Sequence, residues 1–406
     1  MSTENAIQSV TDFVNKNLSE GCKTIGVFMD LARAFDTVDH SILLQKLYNL
    51  GVRGKAYDLF ESYLKNRTQQ VKINGVLSQE SEVSIGVPQG TVLGPVLFLV
   101  YLNDLMSILP SDNCACICFA DDSVVLLRAK SSWNEIYDLS EHYISIIKLW
   151  LDQNRLTLNE KKTVYIPFSL RDLGRTELPR LKLHTYACLQ NMCHCLCEPS
   201  IRSQENYKYL GVYLDSKLKY DSHINYIVKK VRKTIYKFYQ LREFMPLKLV
   251  KIVYQSLVES VLRYGITIWG STYSSVLYNV EILQKSLIKI IYRKTRRHST
   301  DLLFRESGLL SIKQIYVSSI IRHMKESNKY KKNISHNITT RLIANENVAI
   351  PVTNLGATQR HINYIGPRIY NLLPLEINNK NKYYMKKVYT WTKTNWDNIK
   401  RKISIL

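Results

Sequence analysis

The feature that most constrains this chain is a pair of apolar runs, CACICF and SVVLL, closed over a short acidic tip at Ala120-Asp121-Asp122. Two apolar segments joined by so few residues read as adjacent strands that turn back on each other. A third apolar run, Lys23–Met29, ends on another acid, Asp30, and also reads as a buried strand. Strand ends and hairpin tips of one sheet can converge, which would bring three carboxylates from distant sequence into one cluster. Like charges at contact repel by roughly 1 kcal/mol in water and several times that in a protein interior. Divalent cations would remove that cost. By itself, an Asp-Asp turn is commonly no more than a polar turn.

Around these runs the first half alternates strand and helix signals. Asp39 can cap a helix whose apolar positions Leu43, Leu44, Leu47 and Leu50 share a face, stopped by Gly51. A second amphipathic helix carries Ala56, Leu59, Phe60, Tyr63 and Leu64. QQVKI and a strand around Val83–Ile85 follow, with the hairpin-turn pair Asn74-Gly75 between them. Gly86–Gly90 is a loop, and an apolar helix then runs to about Ile108. A long helix is predicted over Trp133–Asn154, and TVYIPF as a strand. YKYLGVYL is the last strand-rich piece. Beyond it helical periodicity dominates, with Ile224, Ile227, Val228 and Val231 as one stripe and further helices over Val250–Trp269 and Val280–Ile291. No internal repeat or long low-complexity linker interrupts the chain.

Charge divides the chain in the same way. Lys plus Arg number 56 against 34 Asp plus Glu, a formal +22. Residues 201–406 hold 37 basic and 12 acidic side chains, whereas residues 1–200 hold 19 and 22. A near-neutral half joined to a strongly basic one points to a catalytic body beside a surface that grips a polyanion. The first residues, MSTENAIQSV, lack the basic and apolar regions of a secretory signal. The longest apolar stretch, Val92–Leu102, is about half a membrane span and contains Gly94 and Pro95. No membrane partner and no secretion are expected, and the eight cysteines should be reduced thiols.

FMDLARAFDTVDH, GVPQGTVLGPVLFLVYLNDL and FADDSVVLL occur in order and at domain-sized spacing. Together they resemble the polymerase motifs of reverse transcriptases, specifically those of jockey-type non-LTR retrotransposons. LTLNEKKTVYIPF and YKYLGVYLDSKLKYDSHI resemble the next two motifs, and QRHINYIGPRIYNLLP the carboxy-terminal region of those elements. The resemblance covers essentially the whole chain. It implies an α+β fold: a right-hand polymerase palm with an antiparallel sheet and flanking helices, a helical thumb and a basic helical extension. The expected division is 1–20 as the remnant of a fingers region, 21–205 as palm, 206–300 as palm–thumb hairpin and thumb, and 301–406 as basic carboxy-terminal region.

The resemblance also implies roles. Asp30, Asp121 and Asp122 would hold two Mg2+ ions, with Mn2+ able to substitute and the carbonyl of Leu31 assisting. The chemistry would be nucleotidyl transfer from a deoxynucleoside triphosphate to a primer 3′-hydroxyl. The turn at Arg33 and Ala34 would offer backbone N–H groups to the triphosphate. Phe35 matches the bulky gate under the sugar that excludes a 2′-hydroxyl; its spacing alone would make it core. Gln89 would contact the incoming nucleotide, and Gly90 would let the backbone approach the template. Lys162 matches the lysine proposed as general acid for pyrophosphate, the alternative being a surface lysine. Leu210, Gly211 and Val212 resemble the hairpin that grips the primer end. Lys229, Lys230, Arg232 and Lys233, with Arg293, Lys294, Arg296 and Arg297, are predicted as helix-borne clusters that contact phosphates without reading bases. Template RNA, DNA primer and target, and deoxynucleotides are the implied partners, and cytoplasm and nucleus the implied compartments. Oligomeric state is left open.

The cysteines form two groups. Cys114, Cys116 and Cys118 alternate along a strand and read as small core residues. Cys188, Cys193, Cys195 and Cys197, with His184 and His194, can be drawn as a zinc site, but one-residue gaps are poor for tetrahedral binding. Structural cysteines are therefore the expectation.

Only about 29 residues precede Asp30, so the resemblance implies that most of the fingers, and an upstream endonuclease, are absent. A catalytically inactive nucleic-acid-binding remnant is the alternative function. An RNA-dependent RNA polymerase fits less well. Such enzymes usually carry Gly before the Asp pair and a small or polar sugar gate, where Ala120 and Phe35 stand here.

Overall fold

A computed structural model describes residues 2–109, 112–171, 178–191, 197–327, 348–353, 355–377 and 383–403. The chain divides into two compact units, Met1–Ala6 with Gly21–Glu205, and Ile7–Glu20 with Asn206–Leu406.

The first unit is built on the sheet that the apolar runs foretell. Strand β1 (Lys23–Met29) belongs to the main sheet, and later in the chain come two short strand pairs of their own, β2 (Thr68–Gln69) with β5 (Ser81–Glu82) and, nested inside, β3 (Lys72–Ile73) with β4 (Val76–Leu77). The inner hairpin turns at Asn74-Gly75, with φ of 51° and 86°, the left-handed pair that such a turn demands. The strand expected over Val83–Ile85 lies instead at Ser81–Glu82, because pairing with Thr68–Gln69 sets the register from the turn outward. The main sheet adds β6 (Cys114–Phe119), β7 (Asp122–Ala129), β8 (Val164–Phe168), β9 (Leu181–Lys182) and β10 (Pro199–Ser203), in the order β6-β7-β1-β8-β10-β9. All pairs are antiparallel except β10 with β8. That parallel pair departs from the expected antiparallel sheet, and the long connection from residue 169 to 198 provides the crossover it needs.

Helices α2 (His40–Asn49), α3 (Lys55–Leu64), α4 (Leu93–Leu102) and α5 (Trp133–Gln153) complete this unit around the sheet. Asp39 caps α2 as its sequence predicts, accepting from the backbone N–H of Ser41 at 2.9 Å and Ile42 at 3.0 Å. Ser132 caps α5 through the Glu135 N–H. Ile25, Val27 and Met29 pack in one core with Leu43, Leu47, Phe98, Ile144 and Trp150. Each fully buried aliphatic side chain of this kind contributes roughly 1.5–3 kcal/mol. On the alternate residues of β1, Gly26 leaves room for a neighbouring ring, since a Cβ there would lie 3.0 Å from Phe168.

The second unit is mostly helical. Its hairpin β11 (Asn206–Tyr209) and β12 (Val212–Asp215) precedes α7 (Asp221–Arg232), whose buried face carries the predicted Ile224, Ile227, Val228 and Val231. The single helix expected over Val250–Trp269 is broken. It runs as α-helix over Leu247–Tyr254, as π-helix over Gln255–Glu259, and stops before Gly265, whose φ is 63°. The long helix Ser274–Ile291 and the helix Ile312–Glu326 follow, the latter with a capping box of Ser311 and Gln314. Residues 7–20, expected as the end of a fingers region, belong to this unit through their helix Thr3–Ser19. There Asp12 accepts from Asn363 Nδ2 at 3.0 Å and lies 3.2 Å from His361 Nε2, within the QRHINYIGPRIYNLLP segment.

Candidate active site

Sheet register brings the three acids together. Met29 pairs with Ser123 across β1 and β7, so the next residues outward, Asp30 and Asp122, leave the sheet side by side. Phe119 pairs with Asp122 on the other side of β7, which leaves Ala120 and Asp121 as a two-residue turn. Ala120 takes φ of 52° to close it, a left-handed conformation that costs a non-glycine residue about 1–3 kcal/mol. The Asp122 carboxyl is pushed above its usual range by desolvation first, then by the charges of Asp121 and Asp30. The three acids therefore stand at neighbouring strand ends, close enough for the charges of Asp121 and Asp30 to act on Asp122, although their carboxylate oxygens do not all gather within 4.8 Å of one another.

The loop from 157 to 163 is fastened to the same place. Asn159 N–H donates to the Asp30 carbonyl at 2.8 Å, Ala32 N–H to the Thr157 carbonyl at 2.9 Å, and Leu31 bridges to Leu158. The Asp30 N–H in turn donates to Thr163 Oγ1 at 3.3 Å. Lys162, largely solvent-exposed, lies with its Nζ 3.7 Å from Asp30 Oδ2. Thr163 is a residue that the sequence reading missed; its only signal was its position beside Lys162.

After Asp30 the chain makes a compact turn in which Arg33 has φ of 50° and Asp36 N–H donates to the Arg33 carbonyl at 2.8 Å. Arg33 is exposed, Ala34 buried and Phe35 half-buried. The Phe35 ring packs 4.5 Å from that of Phe98. The loop carrying Gln89 and Gly90 docks on this turn. Val87 N–H donates to the Phe35 carbonyl and Gly86 N–H to the Val38 carbonyl, each at 2.8 Å. Gly86 has φ of 87°, and a Cβ there would lie 3.0 Å from the Asp36 carbonyl, so only glycine fits. Gln89 Nε2 donates to Asp36 Oδ1 at 2.7 Å, leaving Gln89 and Gly90 on the surface.

Asp39, which closes this turn, also pairs with Arg155. Burial raises its carboxyl, but the Ser41 hydroxyl, the Ile42 N–H and Arg155 together hold it below the ordinary range. Neither Asp36 nor Arg155 was singled out from the sequence.

In the second unit, Leu210 and Gly211 form the two-residue turn of the β11–β12 hairpin, with φ of 43° and 90°. The Tyr264 hydroxyl donates to the Leu210 carbonyl and its ring lies against Gly211. Val212 begins the returning strand, fully buried. Lys229, Lys230 and Arg232 are exposed on the last turn of α7, with exposed Lys233 just after it. Arg293, Lys294, Arg296 and Arg297 are not helix-borne as expected. The preceding helix stops at Ile291, and Arg293 turns the chain away with φ of 51°. Arg293 pairs with Glu243 at 3.0 Å and Lys294 with Glu306 at 2.6 Å, so half of that cluster is already neutralised. Arg296 and Arg297 remain exposed.

Cys114 and Cys118 are core residues, as read from their alternation, and burial pushes the Cys114 thiol up to about 12. Of the second cysteine group, Cys193, His194 and Cys195 lie outside the described residues. His184, Cys188 and Cys197 come together.

No helix among the described residues is long and apolar enough to cross a membrane. The family described as reverse transcriptase (RNA-dependent DNA polymerase) matches residues 2–214. The RNA-directed DNA polymerase from mobile element jockey of Drosophila melanogaster is 28% identical over 336 residues, covering 79% of this chain and 35% of its own. The probable RNA-directed DNA polymerase from transposon BS of the same organism is 29% identical over 279 residues, covering 65% and 28%. The chain thus spans about a third of the length of the curated relatives it matches. Telomerase from Candida albicans, solved with a fragment of telomeric RNA, aligns at a TM-score of 0.38 and 15% identity, over 83% of this chain and 53% of that one. With a family match over more than half its length and an acidic cluster at the ends of its central strands, this α+β chain belongs to the reverse transcriptase family.

Proposed function

We propose that this chain carries the site of RNA-templated DNA synthesis for a non-LTR retrotransposon, joining deoxynucleotides to a primer 3′-hydroxyl. The supporting observation is the placing of Asp30, Asp121 and Asp122 at neighbouring strand ends, where desolvation first, and then the charges of Asp121 and Asp30, lift the Asp122 carboxyl. An all-oxygen donor set of like charges suits hard divalent cations. Reverse transcriptases generally depend on a divalent metal. Here the finer reading is two Mg2+ ions, or Mn2+, held by these three carboxylates with the Leu31 carbonyl beside them. When bound, such ions supply a more acidic primer hydroxyl and charge neutralisation at the triphosphate.

The chain's own groups do the rest. The turn at Arg33 and Ala34 lies directly after Asp30, where backbone N–H groups can receive phosphate oxygens. Phe35, held by Phe98, presents a bulky edge where a ribose 2′-hydroxyl would have to fit. Gln89 and Gly90, exposed on a loop pinned by Gly86 and Asp36, are assigned to the nucleotide and its template partner. Lys162, reaching Asp30, can give a proton to departing pyrophosphate. Leu210, Gly211 and Val212 are assigned to the primer end. The exposed Lys229, Lys230, Arg232 and Lys233, with Arg296 and Arg297, are assigned to backbone phosphates.

The exposed basic surface also supports a second reading, a nucleic-acid-binding protein without catalysis. Primer extension on an RNA template with Mg2+ and deoxynucleotides separates the two. The polymerase reading expects product that Asp121→Ala abolishes with template–primer affinity kept. Equal synthesis by the variant would end the metal assignment; binding without synthesis by the wild type would leave the second reading.

A further inference from the structure

The Cys188 Sγ lies 3.4 Å from His184 Nδ1, and the donor atoms of His184, Cys188 and Cys197 all fall within 4.8 Å of one another. Tetrahedral zinc, with bonds of ~2.3 Å to sulfur and ~2.0–2.1 Å to nitrogen, places neighbouring donors roughly 3.6–3.8 Å apart. The three are therefore already near the separations a zinc ion would impose. The sequence spacing that argued against zinc, with one-residue gaps among residues 193–197, does not enter. The converging set uses a His–Cys spacing of four and draws the third donor from beyond the short helix Tyr186–Asn191.

The outer groups fit as well. With Nδ1 toward the thiol, His184 turns its other nitrogen, Nε2, to Glu141 Oε2 at 3.4 Å. A metal-ligating imidazole characteristically gives its remote N–H to a carboxylate, which fixes the tautomer and makes the ligating nitrogen more basic. Helix α5 anchors the same segment through the backbone. Lys182 N–H donates to Glu141 Oε1 at 3.0 Å and His184 N–H to Ser145 Oγ at 2.7 Å. Glu141 thus serves both the strand before the cluster and the histidine within it.

We propose that His184, Cys188 and Cys197 bind one zinc ion, with Glu141 as the carboxylate behind the histidine, fastening the 181–203 excursion to α5. On binding, the two thiols give up their protons to solvent and coordinate as thiolates, while the imidazole coordinates neutral. Three protein donors leave one tetrahedral position for water or a further donor. Two sulfurs and an imidazole select zinc over magnesium, whereas the carboxylates at Asp30, Asp121 and Asp122 have the opposite preference. The site is thus chemically distinct from the one assigned to synthesis, and holds whether or not the chain polymerises. Its structural consequence is at the sheet edge: β10, which pairs with β8, begins two residues after Cys197.

The test is metal content of the full chain, purified without chelators and then reconstituted with zinc, together with the absorption of its cobalt-substituted form. About one zinc per chain is expected, with a thiolate-to-cobalt charge-transfer band in the near ultraviolet. The Cys188→Ser/Cys197→Ser double variant should lose both, and Glu141→Gln should weaken zinc affinity by ~10–100-fold. A wild-type chain that takes up no zinc overturns the proposal. So does a cobalt form without the thiolate band, or a double variant that keeps full zinc content. Because the cobalt spectrum is read on the wild type, misfolding of a variant does not blunt the test.

Discussion

Lys162 reaches Asp30 across the mouth of the candidate active site, its Nζ 3.7 Å from the carboxylate Oδ2, on a loop whose Asn159 N–H holds the Asp30 backbone carbonyl. A cation this exposed adds little stability. Lys162→Ala should therefore shift unfolding by no more than about 0.5 kcal/mol. If the lysine protonates the leaving pyrophosphate, kcat for primer extension should fall by ~10²–10⁴-fold, with template–primer affinity unchanged. An unaltered kcat would make it a surface lysine.

Asp122 titrates above its usual 3.8 in the fold, so the folded state holds this charge less readily than the unfolded chain does. Its charge works against the fold at neutral pH, and the penalty fades as pH falls through the raised value. In EDTA at neutral pH, Asp122→Asn should raise stability by less than about 1 kcal/mol, a surface-screened effect. The gain should disappear toward the ordinary carboxylate range. Added Mg2+ should raise the melting temperature of the wild type more than that of the variant. A variant less stable than wild type in EDTA would contradict the crowding of the three acids.

Phe35 packs its ring, tilted, against Phe98 yet is only half-buried, which leaves an edge to act on a nucleotide sugar. Phe35→Val should reduce discrimination against ribonucleotides by ~10–200-fold in competitive incorporation, at a stability cost of about 1–2 kcal/mol. Unchanged discrimination with the same stability loss would assign Phe35 to the core alone.

His223 is buried against Trp269, accepts from the Tyr213 N–H at 3.4 Å through Nδ1, and is pushed down to about 4 by desolvation and then by Lys208. A base depressed from 6.5 in the fold binds protons preferentially when unfolded. Stability should therefore fall as pH drops from about 6.5 to 4, by roughly 3 kcal/mol. Denaturant melts across that range should show the slope, and His223→Phe should flatten it. Asp39, held below 3.8, acts in a lower window: its contribution is present above that value and is lost only as pH falls further.

Much of this was legible in linear order. The strands Lys23–Met29, Cys114–Phe119 and Val164–Phe168 follow from apolar runs bounded by polar residues, and the cap Asp39 sits where a helix must begin. These depend on backbone preference and on burial of one stripe, both local properties. The end of the helix at Ile291 was read from the sequence, but the break at Gln255–Glu259 was not. Periodicity continues through Gln255–Glu259, and distant packing decides where a ladder is interrupted.

The amino-acid order alone determined that acids would stand at the ends of apolar strands, and that the basic charge would gather in the second half. Only the folded chain decided which acids meet, because a one-residue change of register between β1 and β7 would turn Asp30 away from Asp122. It also chose the partners that no spacing announces, Glu141 behind His184 and Asp36 beneath Gln89. Such pairs join residues that are far apart in sequence and lie on separate elements. Their meeting is fixed by how helices and loops pack on the sheet rather than by any residue's own preference.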